Sequence, residues 1–184
     1  MEITLRKWKA EDAKELAEIL NNPNILKNLG DGVPYPYTEA DALDYINKML
    51  NEDENSVFVY AVCSDGKAVG NVGAFRQSNI NFRTAKLGYY LGESYWGKNI
   101  MTEAVRQLCT NLFQKTDLLR IYAELFSYNT GSRRVLEKSG FEYEGTMKNN
   151  AFRDGKALDM MLYAITREKW YKDNNIGGEE HEIS

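Results

Sequence analysis

The chain is almost without histidine. Its single imidazole is His181, inside a polar C-terminal stretch. A Ser-His-Asp or Cys-His nucleophile and a histidine-rich zinc site are therefore out of reach unless that tail folds back. Cysteine is nearly as scarce. Cys63 and Cys109 both fall on apolar periodic segments, which reads as two reduced core thiols. There are three prolines, Pro23, Pro34 and Pro36, and neither an internal repeat nor a low-complexity linker. No run approaches the roughly 18 consecutive apolar residues of a membrane span. The charged start MEITLRKWKAED carries no secretory signal, so a cytoplasmic protein that does not engage a membrane is expected. Nor is there a basic stripe. Net charge is −4, most of it from the segment beginning at Lys172, and nucleic acid is not an expected partner.

What the chain does have suits one domain over residues 1–171, followed by a polar tail, 172–184, expected to be disordered. Its length of 184 residues, 43% of them hydrophobic, allows about 70% of the unfolded surface to be buried. Ile3–Trp8 reads as a strand, and Ala10–Asn21 sets Ala13, Leu16, Ala17 and Leu20 on one helical face. After the turn-rich loop Gly30–Tyr37, Thr38 and Asp41 cap a second helix, whose predicted buried stripe is Leu43, Ile46, Met49 and Leu50. Ser56–Cys63 and Lys67–Arg76 form a hairpin around Ser64-Asp65-Gly66, and Thr84–Gly92 is a further strand. Met101–Lys115 is amphipathic, with Val105, Leu108, Cys109 and Leu112 aligned. Leu119–Phe126 alternates as a strand, Asn129–Ser139 is a helix ended by Gly140, and Phe141–Thr146 and Leu158–Ile165 are the last strands before a helical turn, Thr166–Lys172. Antiparallel hairpins followed by strand–helix–strand crossovers imply an α+β, three-layer fold: a mixed, mostly antiparallel sheet of about seven strands with helices on both faces.

Chemistry concentrates at Tyr89–Ala104, YYLGESYWGKNIMTEA. A strand runs through the short loop Ser94–Asn99 directly into a helix. Such a helix start offers unpaired N–H groups and the positive end of a dipole, a geometry that binds pyrophosphate. Gly97 permits close backbone approach and Lys98 adds a charge. The loop is not a Walker loop, because GxxxxGK[ST] is absent, and on spacing alone a plain strand-to-helix turn capped by Asn99 or Thr102 is the stronger reading.

The segment resembles the acetyl-CoA-binding motif of the GNAT superfamily of N-acetyltransferases, Gln/Arg-x-x-Gly-x-Gly/Ala, with Trp96, Asn99 and Met101 at its first, fourth and last positions. YWGK…MTEA is similar to the RimJ/RimL-like subgroup of ribosomal-protein N-terminal acetyltransferases. So are LRIYAELFSYNTGSRRVLEKSGFEYEG (Leu119–Gly145) and the early acceptor loop PYPYTEADA (Pro34–Ala42). The resemblance spans about Ile3 to Arg167. It implies the GNAT fold and acetyl transfer from acetyl-CoA to a primary amine, either a peptide N-terminus or a small molecule, in a monomer or homodimer. Tyr89, Tyr90 and Leu91 would line the pantetheine through backbone groups, with the Leu91 N–H as oxyanion donor. Trp96, Gly97, Lys98, Asn99, Ile100, Met101 and Thr102 would hold the pyrophosphate. Asn129 would contact the cofactor arm, and Ser132 would serve the departing thiolate. On the residues alone, Asn129 as an N-cap and Ser132 as an ordinary first-turn residue are the stronger readings.

Three departures accompany the resemblance. Asn99 replaces the motif's central glycine. Leu136 stands where many members carry a tyrosine that protonates the thiolate, which leaves that role to Ser132 or water. The stretch Asn149-Asn150-Ala151 lacks the glutamate that some relatives place between the last two strands. The general base is left among Glu93, Glu103 and Glu124, while Tyr35 and Tyr37 are candidates to line the acceptor site. The alternative is a non-catalytic, acetyl-CoA-binding or ligand-sensing module on the same fold.

Overall fold

The computed structural model describes residues 2–175. Strand β1, Ile3–Arg6, leads through a 3-10 turn into α1, Ala13–Leu20. A single turn, α2, Pro23–Leu26, starts where the Asn22 side chain accepts from the Asn24 N–H and proline fills the first helical position. The Thr38/Asp41 capping box opens α3, Glu39–Asn51. β2, Val57–Ser64, and β3, Lys67–Arg76, join at Asp65-Gly66, both at positive φ. Then follow β4, Thr84–Leu91; α4, Ile100–Lys115; β5, Arg120–Phe126; α5, Thr130–Lys138; β6, Glu142–Arg153; β7, Lys156–Thr166; and α6, Arg167–Asp173.

The seven strands form one sheet in the order β1-β2-β3-β4-β5-β7-β6. Every neighbouring pair is antiparallel except β4 with β5. Residues of α4, α5 and α6, among them Val105, Leu108, Leu136 and Trp170, close the main core over one face. Leu16, Leu20, Ile25 and Ile46 from α1–α3 close a second core over the other, together with Trp8. This is the three-layer α+β arrangement expected from the sequence.

Several local expectations are corrected. β1 ends at Arg6, and Trp8 instead leaves the strand to donate its indole N–H to the buried Asn71 (2.9 Å). In α3 only Ala42 and Ile46 are fully buried, whereas Leu43 and Leu50 lie 39% and 47% exposed. α3 packs mainly on α1, and this one contact covers a narrower stripe than four apolar residues suggest. β6 runs well past Thr146 to Arg153, and the hairpin turns at Asp154-Gly155, φ 52° and 72°. Asn149-Asn150-Ala151 therefore lies within β6, at a register shift, and not between strands. Lys172 and Asp173 close α6. Residues 176–184, with His181, lie outside the described residues.

Candidate active site

β4 and β5 pair over only three rungs, Thr84–Lys86 with Arg120–Tyr122. Beyond them each strand stays with its outer neighbour, β4 with β3 up to Leu91 and β5 with β7 up to Phe126. The sheet therefore opens as a wedge between Leu87–Leu91 and Ala123–Phe126. The phase of the β3–β4 ladder decides what faces the gap. Gln77 N–H donates to Thr84 O and Gly92 N–H to Val69 O, both at 2.8 Å. In an antiparallel ladder this turns the even-numbered groups of β4 toward β3, and those of Tyr89 and Leu91 into the wedge; the Tyr90 main chain, expected to line the pantetheine, is bound to β3 instead. Trp96 Nε1 donates to Leu91 O (2.8 Å). The Leu91 N–H is thus a wedge-facing donor beside a carbonyl already engaged.

The strand ends at a 3-10 turn, Glu93–Tyr95, and the chain passes Gly97 (φ 75°) and Asn99 (φ 58°, ψ 11°) into α4. Asn99 is the N-cap, yet its side chain caps nothing, and the first intrahelical bond is Glu103 N–H to Asn99 O (3.1 Å). The N–H groups of Ile100, Met101 and Thr102 lack helical partners, while their side chains are buried. Only their backbone groups, and not their side chains, are open to an anion. Lys98 leans over the Tyr95 ring, 5.4 Å from its centroid. The ammonium that touches the loop belongs instead to Lys138, on α5, bonded to Asn99 Oδ1 at 2.9 Å. Sequence reading missed this contact, which closes over 39 residues of chain.

Across the wedge, Asn129 Oδ1 caps α5 by accepting from Ser132 N–H (3.0 Å), as the local reading had it. Ser132 Oγ lies 2.7 Å from the Tyr89 hydroxyl, which also approaches Ser132 O at 3.1 Å. Burial pushes the Tyr89 phenol far above its ordinary range, although the Ser132 bond pulls the other way. Leu136 is fully buried and offers no acid.

The three carboxylates separate clearly. Glu93 accepts from Asn22 and Asn24 (2.6 and 2.9 Å), and Glu103 from Gln107 (3.1 Å). Only Glu124 stands on the wedge strand β5, on the face of Lys86 and Gly88, bonded to Lys86 Nζ at 2.5 Å. Gly88 is exposed, and a Cβ built there would meet nothing within 4 Å, so the floor beside Glu124 is open. Tyr35 is 65% exposed, whereas Tyr37 is buried and donates to Asp41 O (3.3 Å). Burial pushes both the Tyr37 and Tyr45 phenols up to about 12. Arg153, from the β6–β7 hairpin, ties the loop after α2 to the β5 side. It bonds Lys27 O (2.7 Å), Leu29 O and Asp31 (2.9 Å), and sits 4.9 Å from the Phe126 ring centroid.

An uncapped helix start beside a splayed parallel pair accommodates a pyrophosphate with an extended arm. The model of the acetyltransferase (GNAT) domain family matches residues 2–142. The chain belongs to the GNAT acetyltransferase family. It is 28% identical over 172 residues to an N-acetyltransferase of Bacillus licheniformis, p20, covering 91% of this chain and 94% of that one. It is 31% identical over 128 residues to the ribosomal protein uS5-alanine N-acetyltransferase of Escherichia coli, covering 66% and 65%. Among solved structures, Mycobacterium smegmatis RimJ in complex with CoA-disulfide superposes with a TM-score of 0.82 at 24% identity, covering 94% and 89%. GNAT acetyltransferases use acetyl-CoA, and the uncapped amides and open β4 edge described above fit that molecule.

Proposed function

We propose that this GNAT protein transfers the acetyl group of acetyl-CoA to a primary amine by direct attack in a ternary complex. The observation that carries the reading is the free Leu91 N–H facing the wedge, one short loop from the uncapped amides of Ile100, Met101 and Thr102. In that reading the backbone from Trp96 to Thr102, with Lys138, holds the pyrophosphate. Tyr89 and Leu91 hold the arm through main-chain groups, and Leu91 N–H stabilises the carbonyl oxygen as negative charge develops on it. The Asn129 side-chain amide nitrogen remains for the cofactor arm. Ser132 serves the departing sulfur. Glu124 is the carboxylate that accepts the proton an alkylammonium must lose before attack. Without an activated nucleophile in the wedge, no acyl-enzyme is invoked.

The acceptor is a peptide N-terminal amine or a small amine. Free, buried Cys63 and Cys109 suit a reducing, cytoplasmic setting, and among the described residues no helix is long and apolar enough to cross a membrane.

Calorimetry with acetyl-CoA tests the binding half of this reading. One molecule bound per chain is expected, with affinity about tenfold weaker in Lys138→Glu at low salt and a smaller difference at high salt. Absence of binding by the unmodified protein contradicts the reading.

A further inference from the structure

The Tyr89 side chain, as distinct from its main chain, has no part in the reading so far. It reaches from β4 across the wedge to the first turn of α5, where its hydroxyl meets Ser132 Oγ at 2.7 Å and Ser132 O at 3.1 Å. Two hydroxyls so placed have two arrangements. In one, the phenol donates to the Ser132 carbonyl, the serine donates back to the phenol, and no proton is left over. In the other, the phenol donates to Ser132 Oγ, and the serine proton is free to point elsewhere. Ser132 itself is held by the N-cap bond from its N–H to Asn129 Oδ1 (3.0 Å). Among the described residues, no other side chain competes for its Oγ.

We propose that Tyr89 is a positioning residue for Ser132, its phenol donating to Ser132 Oγ so that the serine proton is directed at the sulfur of the CoA leaving group. This rests on the acetyl-transfer reading above. A sulfur that gains negative charge as the carbon–sulfur bond breaks favours the second arrangement, because only that one supplies it a donor. Burial keeps the phenol protonated wherever the protein is folded and active, so it is a permanent donor and not a titrating group. Leu136 is buried in the core and brings no competing hydroxyl to this pair.

The test reads the thiol itself. In the binary complex with CoA, the pKa of the bound thiol is followed by ultraviolet thiolate absorbance for the unmodified protein, Tyr89→Phe, Ser132→Ala and the double variant. Tyr89→Phe keeps the ring and removes one oxygen. The thiol pKa is expected to rise by roughly one unit in Ser132→Ala, which removes the donor to sulfur, by a smaller resolvable amount in Tyr89→Phe, which removes only what orients that donor, and no further in the double than in Ser132→Ala. Turnover should fall about tenfold in Tyr89→Phe, with the acetyl-CoA KM within about twofold. A thiol titration unchanged in Tyr89→Phe but shifted in Ser132→Ala overturns the assignment and leaves Tyr89 as a packing residue. Loss of melting temperature without a shifted titration does the same. If the unmodified protein fails to bind CoA, the acetyl-transfer reading falls and this assignment with it. Binding with an unshifted titration in both variants overturns the assignment alone.

Discussion

Asn99 occupies the left-handed region at φ 58° and ψ 11°, where the GNAT motif carries glycine. Asparagine tolerates that conformation better than other side chains do, and its Oδ1 has gained a partner in Lys138. Asn99→Gly should therefore keep the loop but lose the tether, weakening acetyl-CoA binding severalfold by calorimetry. Asn99→Val should instead cost about 1–2 kcal/mol of stability in chemical denaturation, since a branched residue resists positive φ. Asp12 illustrates a titrating residue. Burial pushes its carboxyl up, but the bonds from Arg6 (2.6 and 2.8 Å) and from Lys9 N–H (2.9 Å) outweigh this and hold it below the usual range. Its contribution is present above the unfolded value, about 3.9, and is lost as pH falls through the lower folded value. Asp12→Asn should lower stability near neutral pH by about 1–3 kcal/mol and flatten the acid limb of the melting curve.

Elements with a clean period were legible from the sequence, while contacts made across the fold were not. α4 was read from Val105, Leu108, Cys109 and Leu112, all of them buried, and β5 from its strict alternation. α2 is a single turn, too short to show a period. The sequence signal of β6 stops at Thr146 because its pairing with β7 shifts register between Tyr143 and Gly145 and again between Met147 and Ala151, which breaks the alternation that marks a strand. Asp154-Gly155 carries the residue pair of a tight hairpin turn, and both residues take positive φ. The site divides in the same way. The loop Trp96–Thr102 and Asn129 announced themselves locally, but the Tyr89–Ser132 and Lys138–Asn99 contacts close over 43 and 39 residues. At β3, Gly70 allows β4 to lie close, for a Cβ there would stand 2.5 Å from Tyr90 O and 3.0 Å from Leu91 Cα. Gly70→Ala should push the strand carrying the Leu91 N–H, costing about 1–3 kcal/mol in unfolding experiments and weakening acetyl-CoA binding with it.

On the scale of the whole molecule, the sheet is two antiparallel halves joined by three parallel rungs, by the main core, and by the Arg153 contacts at the far side. A ligand seated in the wedge bridges both halves. Acetyl-CoA at about one hundred times its Kd should stabilise the fold by roughly 2.7 kcal/mol, with hydrogen exchange slowed in β4 and β5 together. Because burial holds the Tyr37 and Tyr45 phenols neutral until about pH 12, neither tyrosine should add a limb to the rate profile below that pH. The central claim is acetyl transfer. It is tested most directly by thiol release from acetyl-CoA against a mixed panel of N-terminal peptides, amino sugars and polyamines. The account predicts turnover with one class of amine and an equimolar acetylated product. Tight acetyl-CoA binding with no thiol released above the solvent rate for any amine would contradict it, and would leave a cofactor-binding module in place of an enzyme.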